Sequence, residues 1–320
     1  MLTLDYSITG GVKATEIEVF ESFGQPTARC SIITDDYLAT DLGDLIDVQL
    51  GFDETGKGAV FKGYVQSINS ERLPGQYVIE ANDILIKAVE HMMVSTDLEN
   101  PWARFNITME DLVRDLLLEA GINNYEGDVS NFTLATGEVP AEFQFVFVMN
   151  AINQVSDIIA WHVYADQAGK VWFKDIKAAP SGAPAAVYTV GAAGNLVMIS
   201  RNTSTDNLRN KVVVLGIGEI ASELSAVSPY LPAGFYKTAV ISSVLIDTQW
   251  MSDQSAQFNL DAWNKLTEAI SVEALGDWER HARETVTVID AFTGTAGDWF
   301  VRDITHSFTN SYVIRMNLVK

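Results

Sequence analysis

The chain has 320 residues, 48% of them hydrophobic and 20% charged, the composition of a globular protein that can bury a large core and not of a disordered one. At that length a single core stops growing, so two or more packed units are expected. Asp and Glu number 42 against 21 Lys and Arg, and the formal charge of −21 repels nucleic-acid phosphates and anionic membrane faces. The densest basic stretch, Arg280, His281 and Arg283, is interrupted by Glu279 and Glu284. Neither specific nucleic-acid binding nor stable membrane insertion is therefore expected. Cys30 is the only cysteine, so no intrachain disulfide can form. Met1-Leu2-Thr3-Leu4-Asp5 lacks the basic start and apolar run of a signal peptide. No window approaches the ~18 apolar residues that span a bilayer. Synthesis in the cytosol is expected.

Up to about Leu85, short alternating runs dominate: Thr15 to Phe20, Asp44 to Leu50 (with Leu45 out of phase), Val60 to Val65 and Tyr77 to Ala81. Such alternation predicts half-buried strands. Turn residues separate them at Gly10-Gly11, Gly24-Gln25-Pro26, Gly56-Lys57-Gly58 and Pro74-Gly75. Short strands at this spacing predict a small barrel or sandwich. The period then changes. Thr108-Met109-Glu110-Asp111 reads as a capping box, Leu112, Val113, Leu116, Leu117 and Ala120 form one apolar face, and Gly121 sits at the C-cap. A second helix is predicted from about Phe147 to Ala160, on Val148, Ile152, Val155 and Ile159. A hairpin follows, Trp161 to Tyr164 and Lys170 to Lys174 about a turn at Asp166 to Gly169. Lys177 to Pro184 reads as a linker. Strands are then predicted at Asn195 to Arg201, Asn210 to Gly216 and Thr238 to Ile246. A helix at about Ser255 to Ala269 precedes strands at Ile270 to Ala274, Thr285 to Ile289, Trp299 to Ser307 and Tyr312 to Val319.

Two stretches imitate nucleotide-binding motifs. Gly51 to Gly58 nearly spells a phosphate-binding loop, but Gly58 replaces the Ser or Thr that would hold Mg²⁺. The segment after it alternates as a strand, where the motif needs a helix N-terminus aimed at phosphate. These glycines are expected to close a hairpin. Gly216-Ile217-Gly218-Glu219-Ile220-Ala221 imitates a dinucleotide fingerprint, yet its strand opens no βαβ unit, and Glu219 would face the pyrophosphate. His91, His162, His281 and His306 have no histidine, cysteine or carboxylate partner at a recognised ligand spacing. Cys30 falls in a predicted strand and reads as core, and Asp35-Asp36 as a solvated loop. No catalytic, cofactor-binding or metal-binding residue is assigned, no cofactor is expected, and the chain is not expected to be an enzyme.

Three stretches, taken in order, resemble the baseplate hub family of tailed bacteriophages, also called late control protein D, whose fold is the hub half of type VI secretion spike proteins. The first is Leu42 to Gly51 followed by Val60 to Val65, similar to the family's G-D-x-(I/V)-x-V and F-x-G-x-V strands. The second runs from the helix at Phe147 through the aromatic hairpin to Asp175. It continues in Asp206 to Gly216, close to an N-x-V-x-V-x-G strand. The third is the late helix, the strand Thr285 to Ile289, and Trp299 to Ser307, similar to a y-x-V-x-x-I-x-H strand. One departure stands out. Where many members have a glycine turn leading into the late strand, this chain has the charged run Gly276-Asp277-Trp278-Glu279-Arg280-His281-Ala282-Arg283-Glu284.

The resemblance implies a mainly β fold: a first β-barrel over 1–95, a mixed α/β middle over 96–180, and a second β-barrel over 181–320 with an inserted helix at about 255–269. It implies a homotrimer forming a pseudo-hexameric baseplate hub ring, with a channel for DNA. One side would meet a hexameric tail tube or distal tail protein, and the other a spike or tail-tip protein. A tape measure protein is a further possible partner. Nothing resembling a spike module follows Lys320, so the spike is expected as a separate chain. The expected place is the virion tail, assembled in the host bacterial cytoplasm. The alternatives are a tail-associated cell-wall hydrolase and a carbohydrate- or receptor-binding tip module.

Overall fold

The structure, a computed structural model, describes residues 3–35, 40–70, 76–94, 102–130, 132–134, 140–159, 161–175, 179–190, 194–205, 208–264 and 267–320. Asp36, the turn expected at Pro74-Gly75, Lys177 and Ala178 of the expected linker, and Asp206-Asn207 lie outside these residues.

Alternation in the first third of the chain gives six strands: β1 (Leu4–Ile8), β2 (Ala14–Ser22), β3 (Arg29–Thr34), β4 (Leu45–Phe52), β5 (Gly56–Ser70) and β6 (Tyr77–Asp83). The middle holds α1 (Ile86–Glu90), α2 (Met109–Glu119), α3 (Val148–Ile159), β7 (His162–Ala165) and β8 (Val171–Lys174). After it come β9 (Ala186–Thr189), β10 (Leu196–Ser204), β11 (Lys211–Leu215), β12 (Ala221–Ser225), β13 (Thr238–Ser242) and α4 (Gln249–Trp263). Four strands end the chain: β14 (Thr267–Leu275), β15 (Thr285–Asp290), β16 (Thr295–Phe308) and β17 (Tyr312–Val319). No helix among the described residues is long and apolar enough to cross a membrane.

The first and last strands join in one 12-stranded sheet, ordered β1-β4-β5-β6-β3-β2-β16-β17-β14-β10, with β15 on β16 and β9 on β15. Among the described residues the N-terminal and C-terminal runs pair as strands through the antiparallel pair β2–β16. Two small barrels were expected. Among the described residues no sheet closes on itself, and the two runs share one core. The sheet bends over that core: Tyr6 of β1 packs edge-on against Phe308 of β16 with centroids 5.1 Å apart, and Phe52 of β4 reaches Tyr312 of β17 at 5.7 Å.

A second core gathers α1 to α4, the β7–β8 hairpin and the three-stranded sheet β12-β11-β13. Thr108 caps α2 as predicted: its hydroxyl oxygen accepts from the Asp111 N–H at 3.1 Å, a contact worth about 1 kcal/mol. Gly121 ends that helix at φ +70°, the left-handed cap glycine tolerates best. The late helix differs from expectation. It spans Gln249–Trp263, not 255–269, because Thr248 caps it by accepting from the Met251 N–H at 3.3 Å. Of the residues assigned to its end, Thr267 to Ala269 belong instead to β14.

Candidate functional site

The charged run after Gly276 lies where the two halves of the large sheet meet. In the β2–β16 pair, Val19 stands opposite His306 and Glu21 opposite Ile304. Strand side chains alternate faces, so Ile17, Val19 and Glu21 share a face with Ile304, His306 and Phe308. That face is the core, and it therefore contains a carboxylate and an imidazole. His306 is fully buried. Its Nε2 lies 3.0 Å from the Arg280 carbonyl oxygen, which can only accept, so Nε2 carries the proton. Its Nδ1 then accepts from the Tyr312 hydroxyl at 2.8 Å. Burial holds the His306 ring neutral, with its pKa pushed down to about 4.

The 276–284 loop closes over this pair. Gly276 lets it start against the Tyr312 ring, since a Cβ there would lie 2.2 Å from that ring. Trp278 packs flat on Gly58, where a Cβ would lie 2.1 Å from the indole. His281 reaches inward, with Nδ1 3.2 Å from Glu21 Oε1, and the Ala282 N–H donates to Glu21 Oε2 at 3.3 Å. Burial opposes charge on both partners. Their mutual hydrogen bond and attraction win, lowering the Glu21 pKa and raising that of His281.

Two guanidinium groups hold the loop. Arg280, buried at 6% exposure, meets Asp277 at 3.0 Å and Glu279 and Glu284 at 3.2 Å each. Arg283 occupies a left-handed backbone position at φ +77°, donates from Nη2 to the Ser22 carbonyl at 2.8 Å, and stacks on the Tyr164 ring at 4.2 Å. Its Nε is buried without a hydrogen-bond partner. Burial lowers the Arg283 pKa. Close by, the Ser22 hydroxyl donates to Asp303 at 2.6 Å. Asp83 accepts from the Ala28 and Leu85 N–H groups at 2.6 and 2.9 Å, and burial lifts its pKa to about 7.

A cavity of about 530 Å³ opens between this loop and the β7–β8 hairpin. Tyr164, Trp172, Lys174, His281, Arg283 and Glu284 are among the residues that line it. The Trp172 indole donates to Asp166 at 2.9 Å and is flanked by Lys170 and Lys174, 4.2 and 3.8 Å from its ring centre. The junction thus offers a buried carboxylate, two imidazoles and two guanidinium groups beside a cavity of mixed polar and apolar lining.

The two nucleotide-like motifs fall on turns. Gly51 to Gly58 spans the β4–β5 hairpin, with Phe52 paired to Gly56, and β5 rather than a helix follows. Gly216 and Gly218 lie between β11 and β12, again with a strand following. Cys30 is buried in β3, and burial raises its thiol pKa. His91 lies at the surface, 3.9 Å from Glu119. The His162 ring packs at a tilt against Phe23, with centroids 3.8 Å apart, and its pKa is pushed down to about 4 by burial and by the Arg283 charge. Sequence spacing placed none of the histidines with a partner. The fold brings His281, His306 and Glu21 together, with one ligand atom of each within 4.8 Å of the others. A signal existed: Glu21 is in phase with Ile17 and Val19, and His306 with Ile304 and Phe308, so each is a polar residue on an apolar face.

No protein-family model and no curated protein matches the chain. Solved structures do. It is similar to the tail protein from Neisseria meningitidis MC58, at TM-score 0.72 and 15% identity, over 100% of this chain and 96% of that one. It is similar to the 43 kDa tail protein of prophage MuSo2 from Shewanella oneidensis, at TM-score 0.67 and 12% identity, over 100% and 98%. The E. coli c3393 protein, a type VI secretion component with structural similarity to the T4 bacteriophage tail proteins gp27 and gp5, matches at TM-score 0.58 and 9% identity, over 98% and 76%. Along its whole length, then, the chain has the fold of phage tail proteins, consistent with the baseplate hub family that its strand motifs resemble.

Proposed function

We propose that the chain is a structural subunit of a phage tail, or of a related injection machine, working at the baseplate hub or tip. One observation carries this: end-to-end likeness to two tail proteins, with nearly all of both chains matched. In this reading three copies form a pseudo-hexameric ring. The two β units, 1–95 and 181–320, supply similar small-barrel walls, and the mixed unit 96–180 braces them. The N-terminal run β1-β4-β5-β6-β3-β2 and the C-terminal run β16-β17-β14-β10, one on each side of the β2–β16 pair, are the candidate walls.

The ring joins a hexameric tail tube or distal tail protein to a separate spike or tip protein, with a tape measure protein as a further neighbour. It belongs to the virion tail and is put together in the bacterial cytoplasm. The role is non-catalytic: the subunit acts through symmetric contacts and a hole. The charge of −21 supports a lumen that DNA passes without sticking, since carboxylates repel phosphates within the ~8 Å screening length of physiological salt. Mass in solution combined with low-resolution imaging tests the reading. A three-fold ring with a central hole is the expected result. A compact monomer at every concentration, or a ring with a neutral or basic inner wall, counts against the trimer and the acidic lumen respectively.

A further inference from the structure

We propose that Glu21, His281 and His306 form a binding site for a divalent transition metal ion of the zinc class, one per chain, that staples the 276–284 loop to the β2–β16 seam. The donor set is the first reason. One carboxylate and two imidazoles are ligands zinc takes readily, and here they arrive from three separate segments. Spacing is the second. Ligands at zinc–ligand distances near 2.0–2.1 Å around a tetrahedron lie about 3.3 Å apart. His281 Nδ1 and Glu21 Oε1 already stand 3.2 Å apart across a hydrogen bond whose proton the ion would displace to solvent, and all three ligand atoms fall within 4.8 Å. Closing that set requires His306 or the loop to shift by up to roughly 1.5 Å, and the loop borders a cavity that gives it room.

The surroundings also fit. Metal-bound histidines usually keep a hydrogen bond on the second ring nitrogen, which fixes the ring. His306 has the Arg280 carbonyl at one nitrogen and the Tyr312 hydroxyl at the other, so an orienting partner remains whichever nitrogen takes the metal. Four carboxylates, Glu21, Asp277, Glu279 and Glu284, stand around two guanidinium groups. Arg280 is already matched by three of the carboxylates, and Arg283 is drawn to the Ser22 carbonyl and the Tyr164 ring. His281 lines the cavity, which supplies a path for the ion and a place for a water as fourth ligand.

The test uses the full chain, stripped with a chelator and titrated with Co²⁺, a spectroscopic stand-in for Zn²⁺. The expected result is saturable binding of one ion per chain at micromolar concentration or below, with the visible d–d absorption of a low-coordinate site. Zn²⁺ should displace the cobalt, raise Tm, and slow amide exchange across 276–284. His281→Gln, at the cavity edge, should weaken binding by at least about tenfold, and Glu21→Gln likewise. His91→Gln, far from the cluster, should leave it unchanged. Absence of saturable cobalt absorption in the wild-type chain overturns the proposal without reference to any variant. So does undiminished binding in a folded His281→Gln chain, or loss of binding in His91→Gln.

Discussion

The two cores of this chain solve the same packing problem with different chemistry. The helical core is filled by aliphatic side chains such as Leu112, Leu116, Ile152 and Val155, and its buried polar residues are uncharged: Ser156, Asn210, Ser222, Ser228, Ser252, Ser255 and Asn259. The sheet half buries every ionisable side chain among the buried polar residues: Glu21, Asp83, Arg280, Asp290, Asp303 and His306. Most of these charges cluster near the β2–β16 seam, where two runs of strands meet and one charged loop covers them. Apolar burial stabilises without direction, whereas paired charges and oriented hydrogen bonds specify one arrangement at the cost of desolvation. The contrast shows where this fold depends on register and where it depends only on volume.

That contrast can be broken by substitution. The largest effect is expected from Arg280→Met, which removes the common partner of three carboxylates and should cost about 4 kcal/mol in urea unfolding. A loss under about 1 kcal/mol would mean the carboxylates are content in solvent and the loop is held by Trp278, Arg283 and the His281–Glu21 contact. Leu116→Ala, fully buried between helices, should cost about 3 kcal/mol through lost burial and a cavity, equally at pH 5 and pH 8. A pH-dependent loss there would show that the two cores are not energetically separate.

An acid-sensitive contribution should come from His162, at the boundary between the halves. Its folded pKa of about 4 lies below the ordinary 6.5, so the folded state favours the neutral ring. This stability is fully present above pH 6.5 and is lost as pH falls from 6.5 to about 4, by at most about 3 kcal/mol. His162→Phe should flatten that limb of the urea midpoint against pH. An unchanged slope assigns the acid sensitivity elsewhere. The smallest effect is expected from Ser252→Ala and Ser255→Ala, whose hydroxyls are buried without partners. Both changes should be neutral or stabilising by up to about 1 kcal/mol, and a clear loss would reveal a hydrogen bond the helical core needs.

Regular elements were legible because their signals are local. Alternation marked β2, β4, β5 and β6, and the Thr108 box marked the start of α2. The late helix was displaced because its cap, Thr248, lacks an acidic residue at the capping-box position, and its apolar residues are weakly periodic. β12 was missed because Ala221 to Ser225 places Leu224 beside Glu223 and two serines, with little apolar contrast. The junction was illegible for another reason. Glu21 and His281 are 260 positions apart, and only strand pairing in register makes them neighbours. The departure of the 276–284 run from the glycine turn of the family that the chain resembles did mark the place, without revealing what the charges hold.

The hub ring is tested by a three-dimensional reconstruction of an intact tail containing this chain. Three copies are expected in one ring at the junction of tube and tip, with each β2–β16 seam inside a subunit and acidic side chains facing an open channel. A peripheral location, or a copy number that is not a multiple of three, would contradict it.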